Sequence, residues 1–305
     1  MDHPTVSVII PTRDRPEFLR QALASVFAQR YLPTEVIIVD DSSPPTAQTA
    51  ISSLACRLPA PLQILSGPGC GPGAARNVGI RAAKGQLLAF LDDDDLWSPD
   101  KLAWQVPWFL TRPALALLGT EAVRAATGSC PPALASPPSR LHRIGPAALL
   151  RANRLTMSSV LARRRCFEEF GGFDESLPLA QDWDMWLRIS QRSQLAVLPA
   201  PLTLYRLHPQ QRSGRPLEMR RWEAEVLRRA APRATSDRWL RGIARRRLAW
   251  AQCRLGRALL AAGRSHAAFP WLKASLNANP LCLPSWGALA RCFLTQRPLP
   301  GVPRT

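Results

Sequence analysis

Gln86-Leu87-Leu88-Ala89-Phe90-Leu91-Asp92-Asp93-Asp94-Asp95 joins an almost wholly apolar run to four consecutive carboxylates. An apolar run of this length bounded by turn formers reads as a strand buried on both faces, the habit of a parallel sheet. Its acidic end then lies at the carboxyl edge of that sheet, where open α/β sheets bind ligands. Like charges about 4 Å apart repel by roughly 1 kcal/mol per pair in water and by several times more at a surface-like dielectric. The cluster therefore calls for a cation, and a hard divalent ion with oxygen ligands, Mg²⁺ or Mn²⁺, suits it. The competing reading is a solvated acidic turn in which the last Asp or Ser98 caps the helix opening at Pro99-Asp100-Lys101.

Upstream of this junction the chain alternates. Thr5-Val6-Ser7-Val8-Ile9-Ile10-Pro11-Thr12 is a β-branched strand stopped near a proline. It leads to a helix from about Pro16 to Gln29, with Phe18, Leu19, Ala22, Leu23, Val26 and Phe27 on one face. Glu35-Val36-Ile37-Ile38-Val39 is the next strand and ends in Asp40-Asp41-Ser42-Ser43. A short helix, a strand at Leu62 to Ser66, a glycine loop and another helix then precede Leu87. Strands alternating with helices imply a parallel, doubly wound sheet. Thr12, Asp41 and Asp92 end three of its strands, so the fold class sets all three along one edge.

Downstream, residues from Ser129 to about Leu155 are rich in Pro, Ala and Ser and read as a variable loop with weak helices. Order resumes at Thr156-Met157-Ser158-Ser159-Val160-Leu161. Gly171-Gly172-Phe173-Asp174 turns the chain toward a helix over Asp182-Trp183-Asp184-Met185-Trp186-Leu187-Arg188-Ile189, whose two leading carboxylates suit a helix N-terminus. Leu195 to Tyr205 reads as extended and leads to Arg206-Leu207-His208. The last hundred residues change to Arg/Ala/Leu-rich helix. There Leu255-Gly256, Leu259, Ala268, Leu272 and Pro280 fall at the spacings of a 34-residue tetratricopeptide repeat, and Trp286, Leu289 and Phe293 restart its register. One repeat cannot bury a continuous core, so a helical hairpin packed on the rest of the protein is expected in preference to an adaptor surface.

The 305-residue chain has room for one large domain and a smaller appendage, and 46% apolar residues suffice for a core. No apolar run is long enough to span a membrane. Met1-Asp2-His3-Pro4 enters the first strand without the features of a signal peptide, so a cytoplasmic location is expected. Seven cysteines without a CxxC pair argue against a disulfide framework and a zinc site. The net charge of +18 is uneven. Residues 1–210 carry 21 Lys and Arg against 18 Asp and Glu, whereas residues 211–305 carry 19 against 4. Such a basic C-terminal surface attracts an anionic membrane or acidic polymer. No specific nucleic-acid partner is expected, and an arginine-biased composition without any partner is the plainer account.

Five segments together carry a resemblance. Val8-Ile9-Ile10-Pro11-Thr12-Arg13, Val39-Asp40-Asp41-Ser42-Ser43, Gly73-Ala74-Ala75-Arg76-Asn77-Val78-Gly79, Phe90-Leu91-Asp92-Asp93-Asp94-Asp95 and Gln181-Asp182-Trp183-Asp184-Met185-Trp186 resemble, in this order and spacing, the inverting glycosyltransferases of family 2 with the GT-A fold. The resemblance covers about residues 5–210. It implies a Rossmann-like, mostly parallel α/β sheet flanked by helices in a glycosyltransferase domain over residues 1–210, followed by a basic α-helical extension over 211–305. It implies that Pro11, Thr12, Arg13, Asp41, Arg76, Asp92 and Asp93 hold a nucleotide-sugar donor, with a UDP-sugar favoured. Asp92 and Asp94 correspond to the family's metal pair, and His208 resembles a histidine that completes the site in some relatives. Asp93 and Asp95 are second-choice ligands or caps.

Asp182 corresponds to the catalytic base, which takes a proton from an acceptor hydroxyl as it attacks the anomeric carbon with inversion. Family members usually have Glu-Asp here, and Gln181-Asp182 keeps a hydrogen-bonding side chain while losing a charge. Asp184 is a second candidate. Trp183 and Trp186 offer a sugar-stacking platform or, especially Trp186, core packing. The implied acceptor is a saccharide or lipid-linked saccharide in polysaccharide or cell-envelope assembly, with peripheral contact at the inner face of the membrane. Two rivals stand beside this reading. Gly69-Cys70-Gly71-Pro72-Gly73-Ala74 matches the dinucleotide pattern of an NAD-type oxidoreductase, although Pro72 lacks an N–H that a pyrophosphate would use. A non-catalytic scaffold that binds an anionic partner through its basic tail is the other.

Overall fold

The structure is a computed structural model of the chain and describes residues 3–55, 61–126, 129, 136–209, 211, 214–233 and 237–296. The chain divides into two compact units, residues 1–149 with 153–211 and residues 150–152 with 212–305.

The first unit is an α/β layer structure. β1 (Val6–Thr12), α1 (Pro16–Phe27), β2 (Glu35–Asp40), α2 (Pro45–Ala55), β3 (Leu62–Ser66), α3 (Pro72–Ala82) and β4 (Leu87–Phe90) follow in strict alternation. β1, β2 and β4 are buried along their whole length, as continuous Val/Ile/Leu runs require when helices cover both faces. β5 (Leu96–Trp97), α4 (Lys101–Thr111), β6 (Leu115–Ala126), β7 (His142–Ile144) and α5 (Pro146–Arg151) come next. A 3₁₀ turn at Met157–Ser159, β8 (Leu161–Arg163), α6 (Arg164–Phe170), α7 (Gln181–Ser190) and β9 (Gln194–Leu207) complete the layer. The strand order is β3-β2-β1-β4-β8-β6-β9-β5, with β7 beside β9.

The pairings β3-β2-β1-β4 are all parallel, as expected. The other half of the sheet is mixed. β8 runs antiparallel to both β4 and β6, β9 is parallel to β6, and β5 and β7 are antiparallel to β9. Hydrophobicity reports which faces a strand buries and carries no information on its direction, so this half was unreadable beforehand. β6 was not foreseen as a strand, because Leu115 to Thr120 continues the apolar pattern of the preceding helix. The irregular stretch from Ser129 to Leu155 holds β7 and α5; its residues 130–135 lie outside the described residues, as do Cys56 and Cys130. Cys70, Cys166, Cys253, Cys282 and Cys292 are free thiols.

β1 is flanked by β2 on one side and β4 on the other, and the chain winds from β1 out to β3 before returning to β4. The reversal of winding opens a crevice at the carboxyl ends of β1 and β4. Thr12 and Asp92 stand at those ends. Gly79 of α3 allows the helix to seat on the sheet, since a Cβ there would lie 2.5 Å from Ile9 Cγ2.

The second unit is helical: α8 (Pro216–Arg233), α9 (Arg238–Ala261), α10 (Ser265–Ala278) and α11 (Leu283–Gln296). Asp237 caps α9 by accepting from Trp239 and Leu240 N–H. Leu255, Leu259, Ala268, Leu272, Ala288 and Cys292 form its core. Gly263, at φ 72°, makes the turn between α9 and α10. No helix among the described residues is long and apolar enough to cross a membrane.

Candidate active site at the sheet edge

The aspartate tetrad turns sharply after β4, with Asp95 N–H bonded to Asp92 O at 3.0 Å. Its side chains therefore diverge. Asp93 points inward, where Thr12 Oγ1 donates to its Oδ2 at 2.8 Å. Burial, with the charge of Asp94 beside it, pushes the Asp93 carboxyl up to about 7. Asp95 is also buried and accepts from Ser158 Oγ at 2.5 Å and from Arg206 N–H at 3.2 Å. Burial raises it well above the usual carboxylate range. Asp92 and Asp94 remain partly open to solvent.

Three guanidiniums surround the tetrad. Arg15 Nη1 reaches Asp94 Oδ2 at 2.8 Å and Asp93 Oδ1 at 3.4 Å. Arg76 donates to Asp92 Oδ1, and its Nε and Nη1 are buried without a protein partner. Arg206 donates to the carbonyls of Asp94 and Asp93 and stacks over the Phe18 ring at 4.8 Å. The repulsion within the tetrad is thus offset by the protein's own cations. One carboxylate oxygen from each of Asp92, Asp94 and Asp95 lies within 4.8 Å of the others. An all-carboxylate oxygen set of this span fits a hard divalent ion. His208 Nε2 stands 2.9 Å from Asp94 Oδ2, and its ring lies 5.0 Å from Phe18.

The register of β9 explains why residues over a hundred positions apart meet here. Leu96 faces Leu204 and Trp97 faces Thr203 in antiparallel register, so the next residues along each strand bring Arg206 beside Asp94 and Asp95. Ser158 enters from the 3₁₀ turn, where it also accepts from Asp92 N–H at 3.1 Å.

Asp41 is buried, and its oxygens accept from Gly69 and Gly71 N–H, each at 2.8 Å. It holds the glycine loop. Those amides are the donors that a dinucleotide pyrophosphate would need, Pro72 opens α3 without one, and the loop follows β3, at the edge of the sheet. The NAD reading therefore has no phosphate cradle. Pro11 is buried within β1, paired with Val39. Arg13 is exposed on the loop beyond Thr12. Backbone at positive φ marks the loops around the site at Asp14 (55°), Ser42 (65°) and Ala180 (58°).

Asp182 opens α7. Its Oδ1 accepts from Trp183 N–H at 2.7 Å and its Oδ2 from Asn153 Nδ2 at 2.9 Å. Desolvation by the surrounding protein raises its carboxyl above the usual range, with Arg76 lowering it and Asp92 raising it. Asp182, Arg76 and Asp92 therefore share one electrostatic neighbourhood. The start of α3 lies beside this helix, with the Cβ position of Gly73 at 3.5 Å from Gln181 Cγ, an ordinary packing distance. Asp184 is fully buried and paired with Arg188 at 2.8 Å, which makes it a structural carboxylate. The stacking platform is not formed. Trp183 is buried with its Nε1 bonded to Leu149 O at 2.8 Å, and Trp186 is buried against Phe173.

Arg15, Arg206, Phe18, Asn153 and Ser158 join the site without having been singled out. Arg15 carried a signal, as a second arginine in the loop after β1. The others depend on tertiary contacts alone.

Residues 7–167 match the profile described as Glycosyl transferase family 2, and residues 151–235 match that of Glycosyltransferase like family 2. An uncharacterized glycosyltransferase of Rickettsia felis is 28% identical over 224 residues, which cover 69% of this chain and 35% of that protein. The O-antigen biosynthesis protein RfbC of Myxococcus xanthus is 32% identical over 210 residues, covering 65% of this chain and 16% of that protein. The chain spans about a third of the length of the first curated relatives it matches. S. aureus TarS in complex with UDP has a TM-score of 0.67 at 18% identity, covering 95% of this chain and 89% of that one. The mannosyltransferase PcManGT of Pyrobaculum calidifontis, in complex with GDP-Man and Mn²⁺, has a TM-score of 0.58 at 18% identity, covering 97% of this chain and 89% of that one. These likenesses establish the GT-A fold. Because the family profile takes in more than half of its residues, the chain belongs to glycosyl transferase family 2.

Proposed function

We propose that this protein is an inverting glycosyltransferase that moves a sugar from a nucleoside diphosphate donor to a hydroxyl of a saccharide or lipid-linked acceptor. The observation that carries this reading is the meeting of Arg76, Asp92 and Asp182 at the crevice between β1 and β4. Arg76 Nε and Nη1 are buried donors lacking a partner, each costing about 1–3 kcal/mol if left so, and a diphosphate oxygen would satisfy them. Thr12, held by Asp93, and the loop anchored by Asp41 shape the nucleoside end. Pro11 and Arg13 border it. UDP is the favoured nucleotide, since TarS, a structural neighbour, binds UDP and UDP-GlcNAc.

Asp92 and Asp94, with His208 or Asp95 beside them, would hold Mg²⁺ or Mn²⁺. Such an ion would stabilise the charge of the departing nucleoside diphosphate. Asp182 takes the acceptor proton. Asn153 and Trp183 N–H each occupy one lone pair of its carboxylate and fix its orientation, while its raised pKa makes it a stronger base. Gln181 in place of the usual glutamate leaves one negative charge fewer near the donor diphosphate.

In the helical unit we read α9, α10 and α11 as one and a half tetratricopeptide-like repeats, with Gly256 seated against Leu272. Polysaccharide or cell-envelope glycan synthesis is the proposed setting, in keeping with the relatives named for O-antigen and succinoglycan biosynthesis. The proposed location is cytosolic, at the inner face of an anionic membrane. Sugar transfer from UDP-GlcNAc and UDP-glucose, with the product's anomeric configuration read by NMR, is the direct test. Full transfer by correctly folded Asp182→Asn, or retention of configuration, would overturn the mechanism.

A further inference from the structure

The tetrad turn is closed twice. Asp95 N–H bonds Asp92 O at 3.0 Å, and Ser158 Oγ spans the same two residues from outside, accepting from Asp92 N–H at 3.1 Å and donating to Asp95 Oδ2 at 2.5 Å. One hydroxyl thus fixes the first and last members of the turn, and Asp94 lies between them. Ser158 is fully buried, so bulk water does not compete for that hydroxyl.

Ser158 is in turn held by a polar network that the donor and base residues do not use. Its carbonyl accepts from Trp97 Nε1 at 2.6 Å, and the carbonyl of Ser159 accepts from Gln105 Nε2 at 3.0 Å. β5 and α4 therefore grip successive carbonyls of the 3₁₀ turn. Lys101 joins the two grips, with Nζ 2.8 Å from Gln105 Oε1 and 4.2 Å from the centre of the Trp97 ring. Lys101 is fully buried, where an ammonium carries a desolvation cost of several kcal/mol. Its charge turns Gln105 Oε1 toward it and leaves the amide N–H groups for the carbonyls of Ser159 and Leu118, the latter at 2.7 Å.

The same device occurs at the opposite edge of the sheet. Ser7 is fully buried, donates to Glu35 Oε1 at 2.5 Å and accepts from Gly85 N–H at 2.8 Å. There it ties the starts of β1, β2 and β4 together and serves the fold. Ser158 differs in what it ties, since one oxygen from each of Asp92, Asp94 and Asp95 lies within 4.8 Å of the others.

We propose that Ser158 is a positioning residue for the divalent ion: its hydroxyl holds Asp92 and Asp95 at the separation that gathers the tetrad's oxygens, and Trp97, Gln105 and Lys101 hold Ser158. This rests on the metal reading stated above and names the side chains that set its geometry. Groups that orient metal ligands without touching the metal are commonly worth 10–100-fold in affinity.

Titration of the full chain with Mn²⁺, the free ion being read by electron paramagnetic resonance, tests it. Wild type is expected to bind, and Ser158→Ala to bind about 10–100-fold more weakly. Trp97→Phe removes the donor to Ser158 O while keeping an aromatic ring, and is expected to weaken binding by a smaller factor. Ser7→Ala removes a hydroxyl of matching burial and bonding, and is expected to lower the urea midpoint with Mn²⁺ affinity at the wild-type level. Wild-type affinity in Ser158→Ala, or equal losses in Ser158→Ala and Ser7→Ala, would overturn the proposal. Should Ser158→Ala fail to fold, Trp97→Phe decides, and wild-type Mn²⁺ affinity in that variant would overturn it. Sugar transfer from UDP-GlcNAc is measured on the same wild-type protein. Transfer without Mn²⁺ binding would sink the metal site and this proposal while the transferase reading stands; Ser158-dependent Mn²⁺ binding without transfer from any donor would do the reverse.

Discussion

Asp182 receives a hydrogen bond on each oxygen, yet its pKa is raised, because loss of solvation outweighs both bonds. A base of this kind is inactive while protonated. The rate of transfer is therefore expected to fall with decreasing pH along a limb centred above the ordinary carboxylate range. Asp182→Asn is expected to lower the turnover by about 10²–10⁴-fold and to remove that limb from the pH–rate profile. A limb at an unshifted position would place the base elsewhere. At this scale the resemblance of the motifs to the family singled out Asp92, Asp94, Arg76 and Asp182, and the structure brings Arg76, Asp92 and Asp182 into one neighbourhood. The sequence was blind to Asn153 and Arg206, which are an ordinary amide and one arginine among many until β9 and the loop before the 3₁₀ turn bring them to the carboxylates. Core packing was the expectation for Trp186, and burial shows that Trp183 serves the core as well.

Among the elements, α3 approaches the sheet closely. Gly79 faces Ile9 so tightly that a methyl group there would lie 2.5 Å from Ile9 Cγ2. Gly79→Ala is expected to lift α3 from β1 and to destabilise the first unit by about 1–3 kcal/mol, seen as a lower urea midpoint. Since α3 also carries Arg76, donor affinity is expected to fall in parallel. A variant as stable as the wild type would show that the helix can shift without cost. Asn77 of the same helix accepts from Phe173 N–H at 2.8 Å and donates to Phe173 O at 2.8 Å, tying α3 to the turn before α7. The alternation of strands and helices up to β4 was readable because each element has its own hydrophobic period. The short elements β5, β7 and β8 were not, since two or three residues contain no period at all.

For the whole molecule, ligand binding to the folded state alone raises its stability by about 2.7 kcal/mol at a hundred times the dissociation constant. UDP, GDP, dTDP and NAD, each with and without Mn²⁺, are expected to separate in a thermal-shift measurement, with UDP and Mn²⁺ together giving the largest rise. Asp94→Asn is expected to abolish the metal-dependent part. A shift by NAD alone would revive the oxidoreductase reading despite the occupied glycine-loop amides. The sequence by itself determined the βα winding of residues 5–100, the acidic edge, the change to helix near residue 211 and the concentration of positive charge beyond it, because composition and periodicity are local properties of a chain. Only the tertiary structure decided the direction of β8 and β9 and the neutralisation of the tetrad by Arg15, Arg76 and Arg206. Those depend on which residues distant in the chain become neighbours, and that is set by the register and packing of whole elements.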